Sequence, residues 1–335
     1  MKELTITFVL VTLGIFALTA LAERILIPIL RSHKAGQKIL DIGPRWHKSK
    51  EGTPTMGGIG FILAILLVVA IFFVYVAIKG EAPDYIPLAL TIAFAVANGA
   101  VGFVDDYCKL IKKQNEGLTR IQKLVLQFAI TAGYLCVMGY TGNLPSEIVI
   151  PFINLPIRGA LWYILAGLLT VGVINGANFT DGLDGLASTV TYVIGIFFAV
   201  FAFYAKDLGL SVVGAALIGG TLGFLLYNIH PAKVFMGDTG SLFLGAIVMG
   251  ALFQMKEPLL LFLVCAVYIF ELLSTVLQIL YFKITHGKRL FKMAPIHHHF
   301  EKCGWKEKKI VYVFSAINII GSALAVLLVY FGQPK

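Results

Sequence analysis

Charge is scarce in this 335-residue sequence: Asp, Glu, Lys and Arg make up only 13% of it, about half the share usual in a soluble domain. Hydrophobic residues reach 58%, so a water-soluble fold is excluded. Cysteine is also sparse. Cys108, Cys136, Cys265 and Cys303 form no CxxC pair, which argues against a disulfide scaffold or a zinc framework. Low-complexity tracts are absent, and the 34 glycines follow no tripeptide period, which removes disordered and collagen-like classes. No soluble domain and no internal repeat stand out, so residues 1–335 read as a single polytopic membrane domain. The net charge of +9 does not call for nucleic acid in such a protein; the positions of the cations decide its meaning.

A bilayer-spanning helix needs roughly 20 mostly apolar residues. Ten stretches qualify, at about 4–30, 56–78, 86–104, 124–142, 159–175, 185–205, 208–229, 240–255, 258–283 and 310–332. The shortest, 159–175 and 240–255, also fit buried or tilted pieces. Ala20-Leu21-Ala22 imitates a signal-peptide cleavage site, but Glu3 neutralises Lys2 and the apolar run continues to Leu30, so a span is expected there.

Most of the Lys and Arg fall in 31–55, 105–123, 230–239 and 284–309, among them Arg31, Lys34, Lys38, Arg45, Lys48, Lys50, Lys113 and Lys233. The alternate connections hold only Lys79, Arg158, Lys206 and Lys256. The positive-inside rule places the first set in the cytoplasm. The expected architecture is therefore an all-α integral membrane protein with about ten transmembrane helices and both termini extracytoplasmic. Residues 143–158 carry two β-branched runs broken by Pro, which predicts a small extracytoplasmic hairpin.

The few acids collect at the ends of spans on that cytoplasmic side: Asp105 and Asp106 in GFVDDYCK, Asp181 and Asp184 in NGANFTDGLDGLA, and Asp238 in NIHPAKVFMGDTGS. Ionisable groups at such depths are costly and default to function. Asn175, Asn178, Asp181 and Asp184 recur every three residues, a spacing that puts them on one side of a helix or its frayed end. Hard oxygen ligands of this kind suit Mg²⁺ together with substrate phosphates. Bland alternatives stay open: Asp105-Asp106 as a solvated helix end, and Asp181, Asp184 or Asp238 as helix caps. Lys109 and Lys123, beside the aspartate pair, either set topology or attract an anionic substrate.

Residues 286–309 include the run His297, His298 and His299. Successive helical positions fan out by about 100°, so the three cannot share one face. Contact with phosphate suits them better than zinc, whose ligands are spaced further apart; an exposed polar loop is the plain alternative. Glu271 and Gln278 lie seven apart on one side of the ninth stretch, either sealing helix contacts or lining a cleft.

Taken together, GFVDDYCK, NxxNxTDGLDGLA and FMGDTGS resemble the polyprenyl-phosphate N-acetylhexosamine-1-phosphate transferase superfamily. EGTPTMGG, with Thr53 to Gly58, and MAPIHHHFEKCGW resemble its phospho-N-acetylmuramoyl-pentapeptide transferase branch. The resemblance covers essentially the whole chain. It implies a multi-pass enzyme of the bacterial inner membrane with a cytoplasmic-face active site. The reaction it implies is Mg²⁺-dependent transfer from UDP-N-acetylmuramoyl-pentapeptide to undecaprenyl phosphate, giving lipid I and UMP in peptidoglycan synthesis. It implies Asp105, Asp106 and Asp238 as catalytic and metal-binding acids, with His297 also catalytic. It further implies substrate contacts from Lys50, Thr55, Lys109, Lys123, Asn175, Asn178, Asp181, Asp184, Asn228, Phe235, Ser241, Gln278, His298 and His299. Membrane lipid and a second copy of the chain, as a homodimer, are the further partners implied.

Overall fold

A computed structural model describes residues 1–32, 50, 52–112, 117–150 and 154–332. Lys34, Lys38, Arg45, Lys48 and Lys113 of the basic connections lie outside the described residues. Among those described, the chain forms twelve α-helices and one two-stranded hairpin. The helices are α1 (Lys2–Ser32), α2 (Gly58–Ile78), α3 (Ile86–Lys112), α4 (Arg120–Tyr140), α5 (Gly159–Thr180) and α6 (Leu186–Ala205). They continue with α7 (Leu208–Asn228), α8 (Gly237–Gln254), α9 (Leu261–Val264), α10 (Ala266–Ile284), α11 (Ile296–Lys302) and α12 (Glu307–Gly332).

Every expected apolar stretch contains helix, yet among the described residues nine helices, not ten, are long and apolar enough to cross a membrane. The exception is α8. It is buried on all sides from Thr239 to Phe253, so its surroundings are other helices rather than lipid. That is why it tolerates Gly240, Ser241, Gly245 and Gly250 in place of large apolar groups. The stretch 258–283 is also not one helix. Pro258 opens a 3-10 turn, α9 ends after a single turn, and Cys265 (φ −105°) separates it from α10.

Helix α8 is the axis of the fold. It packs most extensively on α3, then on α5 and α2, while α1 and α6 cover α7. The C-terminal ends of α3, α5 and α7 and the N-terminal ends of α4, α6, α8 and α12 meet at one end of the bundle through side-chain contacts described below. At the opposite end, Lys79 closes α2 and pairs with Glu3 at the start of α1, 2.6 Å apart. The hairpin also lies away from the acids. Its strands β1 (Glu147–Ile150) and β2 (Leu155–Arg158) pair antiparallel with Glu147 opposite Arg158. Trp162 of α5 donates to the Pro145 carbonyl at 2.9 Å and so ties the hairpin to the bundle.

One buried acid stands without a partner. Glu23 of α1 is fully buried, neither carboxylate oxygen has a hydrogen bond, and the group presses on Gly60 of α2. An unsatisfied buried polar group costs about 1–3 kcal/mol. Glu23→Met, unbranched and of similar length, is therefore expected to raise stability by about 1–2 kcal/mol. The readout is a higher midpoint of thermal unfolding of the detergent-solubilised protein; a lower midpoint would contradict it.

Candidate active site

Asp105 and Asp106 sit inside α3, which runs on to Lys112. They are 1% and 3% exposed, so they are not a solvated helix end. Asp106 Oδ2 accepts from both the backbone N–H (2.9 Å) and the hydroxyl (2.7 Å) of Thr239, joining α3 to the first turn of α8. Asp105 Oδ1 accepts the Leu118 N–H at 2.8 Å, just before α4. A reciprocal capping box starts that helix: Thr119 accepts from the Gln122 N–H and Gln122 Oε1 accepts from the Thr119 N–H. The box fixes the first turn of α4 and with it Lys123.

Asp238 lies in the first turn of α8, where the helix dipole favours a negative charge. It does not cap the helix; Met236 holds the cap position without a side-chain bond. Its Oδ2 is 2.5 Å from Lys123 Nζ and 3.4 Å from Lys109 Nζ. Its Oδ1 accepts from Asn178 Nδ2 at 2.9 Å, and the same amide donates to Ser241 Oγ at 2.8 Å. Oxygens of Asp105, Asp106 and Asp238 all lie within 4.8 Å of one another. Lys109 Nζ approaches each of the three carboxylates, at 2.6, 3.8 and 3.4 Å. An ammonium group thus already occupies a cation position between three carboxylates. That donor set fits a hard divalent ion such as Mg²⁺.

The three-residue run diverges because α5 ends at Thr180. Asn175 turns to α4 and donates to Gln127 Oε1 at 2.8 Å, so it braces two helices rather than reaching the acids. Asn178 meets Asp238. Asp181 closes α5 and takes the Gly237 N–H. Burial, then the charges of Asp238 and Asp106, hold its carboxyl well above the usual range. Asp184 belongs to a second cluster. Its carboxylate takes Lys50 Nζ (2.7 Å), His230 Nδ1 (3.0 Å) and the Ala232 N–H (3.0 Å), while its own N–H donates to Glu307 Oε1 at 2.6 Å. Lys50 also pairs with Glu307 at 2.6 Å. The helix-cap readings fail for both acids: Asp181 ends α5, and Gly185 (φ +77°) precedes α6 without a side-chain cap.

Several of the residues expected to contact substrate also hydrogen-bond within the chain. Asn228 is buried and holds the Gly185 N–H, the Ser188 hydroxyl and the Val234 carbonyl, which fixes the two loops around the acids. Gln278 Oε1 accepts the Phe291 N–H and anchors the approach to α11. Phe235 joins the 52–58 turn through its backbone, its N–H to Pro54 and its carbonyl from Gly57. That turn brings Thr55 Oγ1 against Gly237, beside Asp106. Ser241 Oγ donates to the Gly237 carbonyl. The histidines separate as helix geometry requires. His297 is buried and its Nδ1 lies 3.0 Å from Glu271 Oε2; His298 Nδ1 meets Glu301 at 2.6 Å; His299 Nδ1 accepts the Lys292 N–H. Beneath α11, an apolar cleft of about 420 Å³ opens between α10 and α12, walled by Phe270, Leu273, Leu277, Phe300 and Phe314.

Sequence reasoning missed His230, Glu307, Thr239 and Gln127. His230 and Thr239 lie within the NIHPAKVFMGDTGS segment itself, and Glu307 is the acid that opens the last span. Their proximity to Asp184 and Asp106 arises only when helix ends converge.

Glycosyl transferase family 4 matches residues 85–256, a region that holds all five site aspartates. Phospho-N-acetylmuramoyl-pentapeptide-transferases are similar over nearly the full length. That of Caldicellulosiruptor bescii is 41% identical over 315 residues, covering 94% of this chain and 95% of the relative. That of Listeria welshimeri is 41% identical over 317 residues, covering 94% and 96%. That of Clostridium perfringens is 45% identical over 306 residues, covering 91% of each chain. On these matches, this chain belongs to the phospho-N-acetylmuramoyl-pentapeptide-transferase family, within glycosyl transferase family 4.

Proposed function

We propose that the convergent acids of α3 and α8, with Lys109 and Lys123 between them, are the seat of lipid I synthesis. The chain is a membrane transferase of peptidoglycan synthesis. It moves phospho-N-acetylmuramoyl-pentapeptide from its UDP carrier to undecaprenyl phosphate and releases UMP. The observation that carries the placement is the meeting of Asp105, Asp106 and Asp238 around one ammonium group.

The chemistry follows from charge. Both substrates are anionic, and the sugar-bearing phosphorus of the donor must be approached by the acceptor phosphate. That phosphate has a second pKa near 6 and is mostly dianionic at pH 7, so it needs no base; an aspartate of ordinary pKa about 3.9 would be a poor one. The acceptor attacks in line, one P–O bond forms as the bond to UMP breaks, and no enzyme-bound sugar phosphate intervenes. Lys109 and Lys123 hold the phosphates and offset their repulsion. Asn178 fixes Asp238, and Thr239 fixes Asp106. Asp181, Asp184, Phe235, Thr55, Ser241 and Lys50 border the donor side. Asp238, Asp105 and Asp106 would hold Mg²⁺, which when bound supplies further neutralisation of the pyrophosphate. The apolar cleft beneath α11 takes the start of the isoprenoid chain. The charged end of the bundle faces the cytoplasm, in accord with the basic connections that flank it, and the protein pairs as a homodimer.

The test is UMP release in detergent with Mg²⁺ and undecaprenyl phosphate, offering UDP-N-acetylmuramoyl-pentapeptide or UDP-N-acetylglucosamine. Turnover of the first alone is expected, and a short-chain acceptor should raise the acceptor KM. Without acceptor, neither UMP nor a protein adduct should form; a trapped sugar-phosphate adduct would overturn the one-step path. Preference for the second donor would assign the site to a sibling reaction.

A further inference from the structure

A carboxyl–imidazole pair lies buried beside this site, and the mechanism above uses neither member of it. Glu271 of α10 is fully buried and His297 of α11 is 1% exposed. His297 Nδ1 lies 3.0 Å from Glu271 Oε2. The other ring nitrogen, Nε2, is buried without a partner, as is Glu271 Oε1. Nε2 points at the Asp181–Gly182 turn. A Cβ on Gly182 would stand 2.3 Å from it, so glycine is what lets the ring reach that turn.

Two buried polar side chains are a poor way to hold α10 and α11 together, because their desolvation opposes the gain. Ile296 and Phe300 already pack α11 against the hydrophobic core. The geometry instead matches a recurring device, in which a carboxylate takes one ring nitrogen of a histidine and so sets the tautomer and orientation of the other.

We propose that Glu271 is a positioning residue for the transfer reaction. Its carboxylate accepts the Nδ1–H of His297 and so presents the Nε2 lone pair at the Asp181–Gly182 turn, where a hydroxyl group of the bound nucleotide-sugar donates to it. Glu271 does not touch substrate; it acts through His297. This rests on the lipid I reading of the site.

The test uses full-length protein with the donor and acceptor named above, comparing wild type with Glu271→Gln, Glu271→Asp, His297→Ala and the double variant Glu271→Gln/His297→Ala. Glutamine keeps the volume and loses the charge; aspartate keeps the charge and loses a methylene. Loss of an orienting carboxylate typically costs about 10–100-fold in activity. Glu271→Gln should lower kcat by that factor with either KM changed less than about threefold. Glu271→Asp should be more active than Glu271→Gln. In the His297→Ala background, Glu271→Gln should have no further effect. A packing role predicts the reverse: glutamine better tolerated than aspartate, and losses that multiply in the double variant. Either of those results, or an unimpaired Glu271→Gln enzyme, overturns the inference. If Glu271→Gln folds poorly, a Glu271→Asp enzyme that also loses stability and retains no more activity overturns it too. An inactive wild type with these substrates would instead sink the reading of the site itself.

Discussion

Asp238→Asn is expected to lower kcat for UMP release by about 1,000-fold, equivalent to about 4 kcal/mol of lost transition-state stabilisation. Asparagine has the same shape and can still meet the Asn178 amide, so the fold should survive. What disappears is the charge that faces Lys123 at 2.5 Å and Lys109 at 3.4 Å. Without it the two ammonium groups lose the fixed anion that aims them, and the triad of carboxylates is reduced to a pair on one helix. Binding of UDP-sugar, measured by titration calorimetry, should weaken far less than turnover, because the lysines remain. Raising Mg²⁺ should recover only part of the loss. An Asp238→Asn enzyme within tenfold of wild type would mean that the reacting phosphates are handled elsewhere.

Gly102→Ala is expected to be nearly as damaging from outside the site. Gly102 is one turn before Asp105 on α3, where that helix crosses α8. A Cβ there would stand 2.2 Å from the Asp238 carbonyl oxygen, 2.4 Å from its carbon and 2.6 Å from the Thr239 nitrogen. All three are backbone atoms, so no rotamer change gives relief; the helices must move apart. Overpacking of this kind costs about 1–3 kcal/mol. The shift also parts Asp238 from Asp105 and Asp106 and strains the Asp106–Thr239 bonds. A misplacement of about 1 Å can cost on the order of 100-fold in rate. Lower thermal stability and a kcat reduced by about that factor are the expected pair of results. Wild-type kinetics would show that α3 and α8 do not meet so closely.

The sequence made the helices legible because each carries a long apolar run, and the hairpin because Pro interrupts β-branched residues. It also picked out the five aspartates, since acids are rare against such a background. Of the ten stretches it marked, α8 alone falls short of the length and apolar composition of the other nine, because its 18 residues include Asp238 and several small or polar side chains. It read 258–283 as continuous, because the break at Cys265 carries no helix-breaking residue. The regular spacing from Asn175 to Asp184 suggested one shared face. The end of α5 at Thr180 instead splits the run among Gln127, Asp238, Gly237 and Lys50. Asn228 and Gln278, for which the resemblance implies substrate contacts, also hydrogen-bond to groups of the chain itself. Pairs such as Asp184–Glu307 and Glu271–His297 could not be read, since distances across 123 and 26 residues are set by tertiary packing.

The four-way junction of Lys50, Asp184, His230 and Glu307 joins residues from inside and outside the family-matched stretch. Asp105, Asp106, Asp181, Asp184 and Asp238 all fall within the stretch matched by glycosyl transferase family 4, whereas Lys50, His297 and Glu307 lie outside it. Lys50 and Glu307 thereby tie the segment before α2 and the start of α12 to the turn that carries Asp184. Removing Lys50 would leave the Asp184 and Glu307 carboxylates without the ammonium group that bridges them.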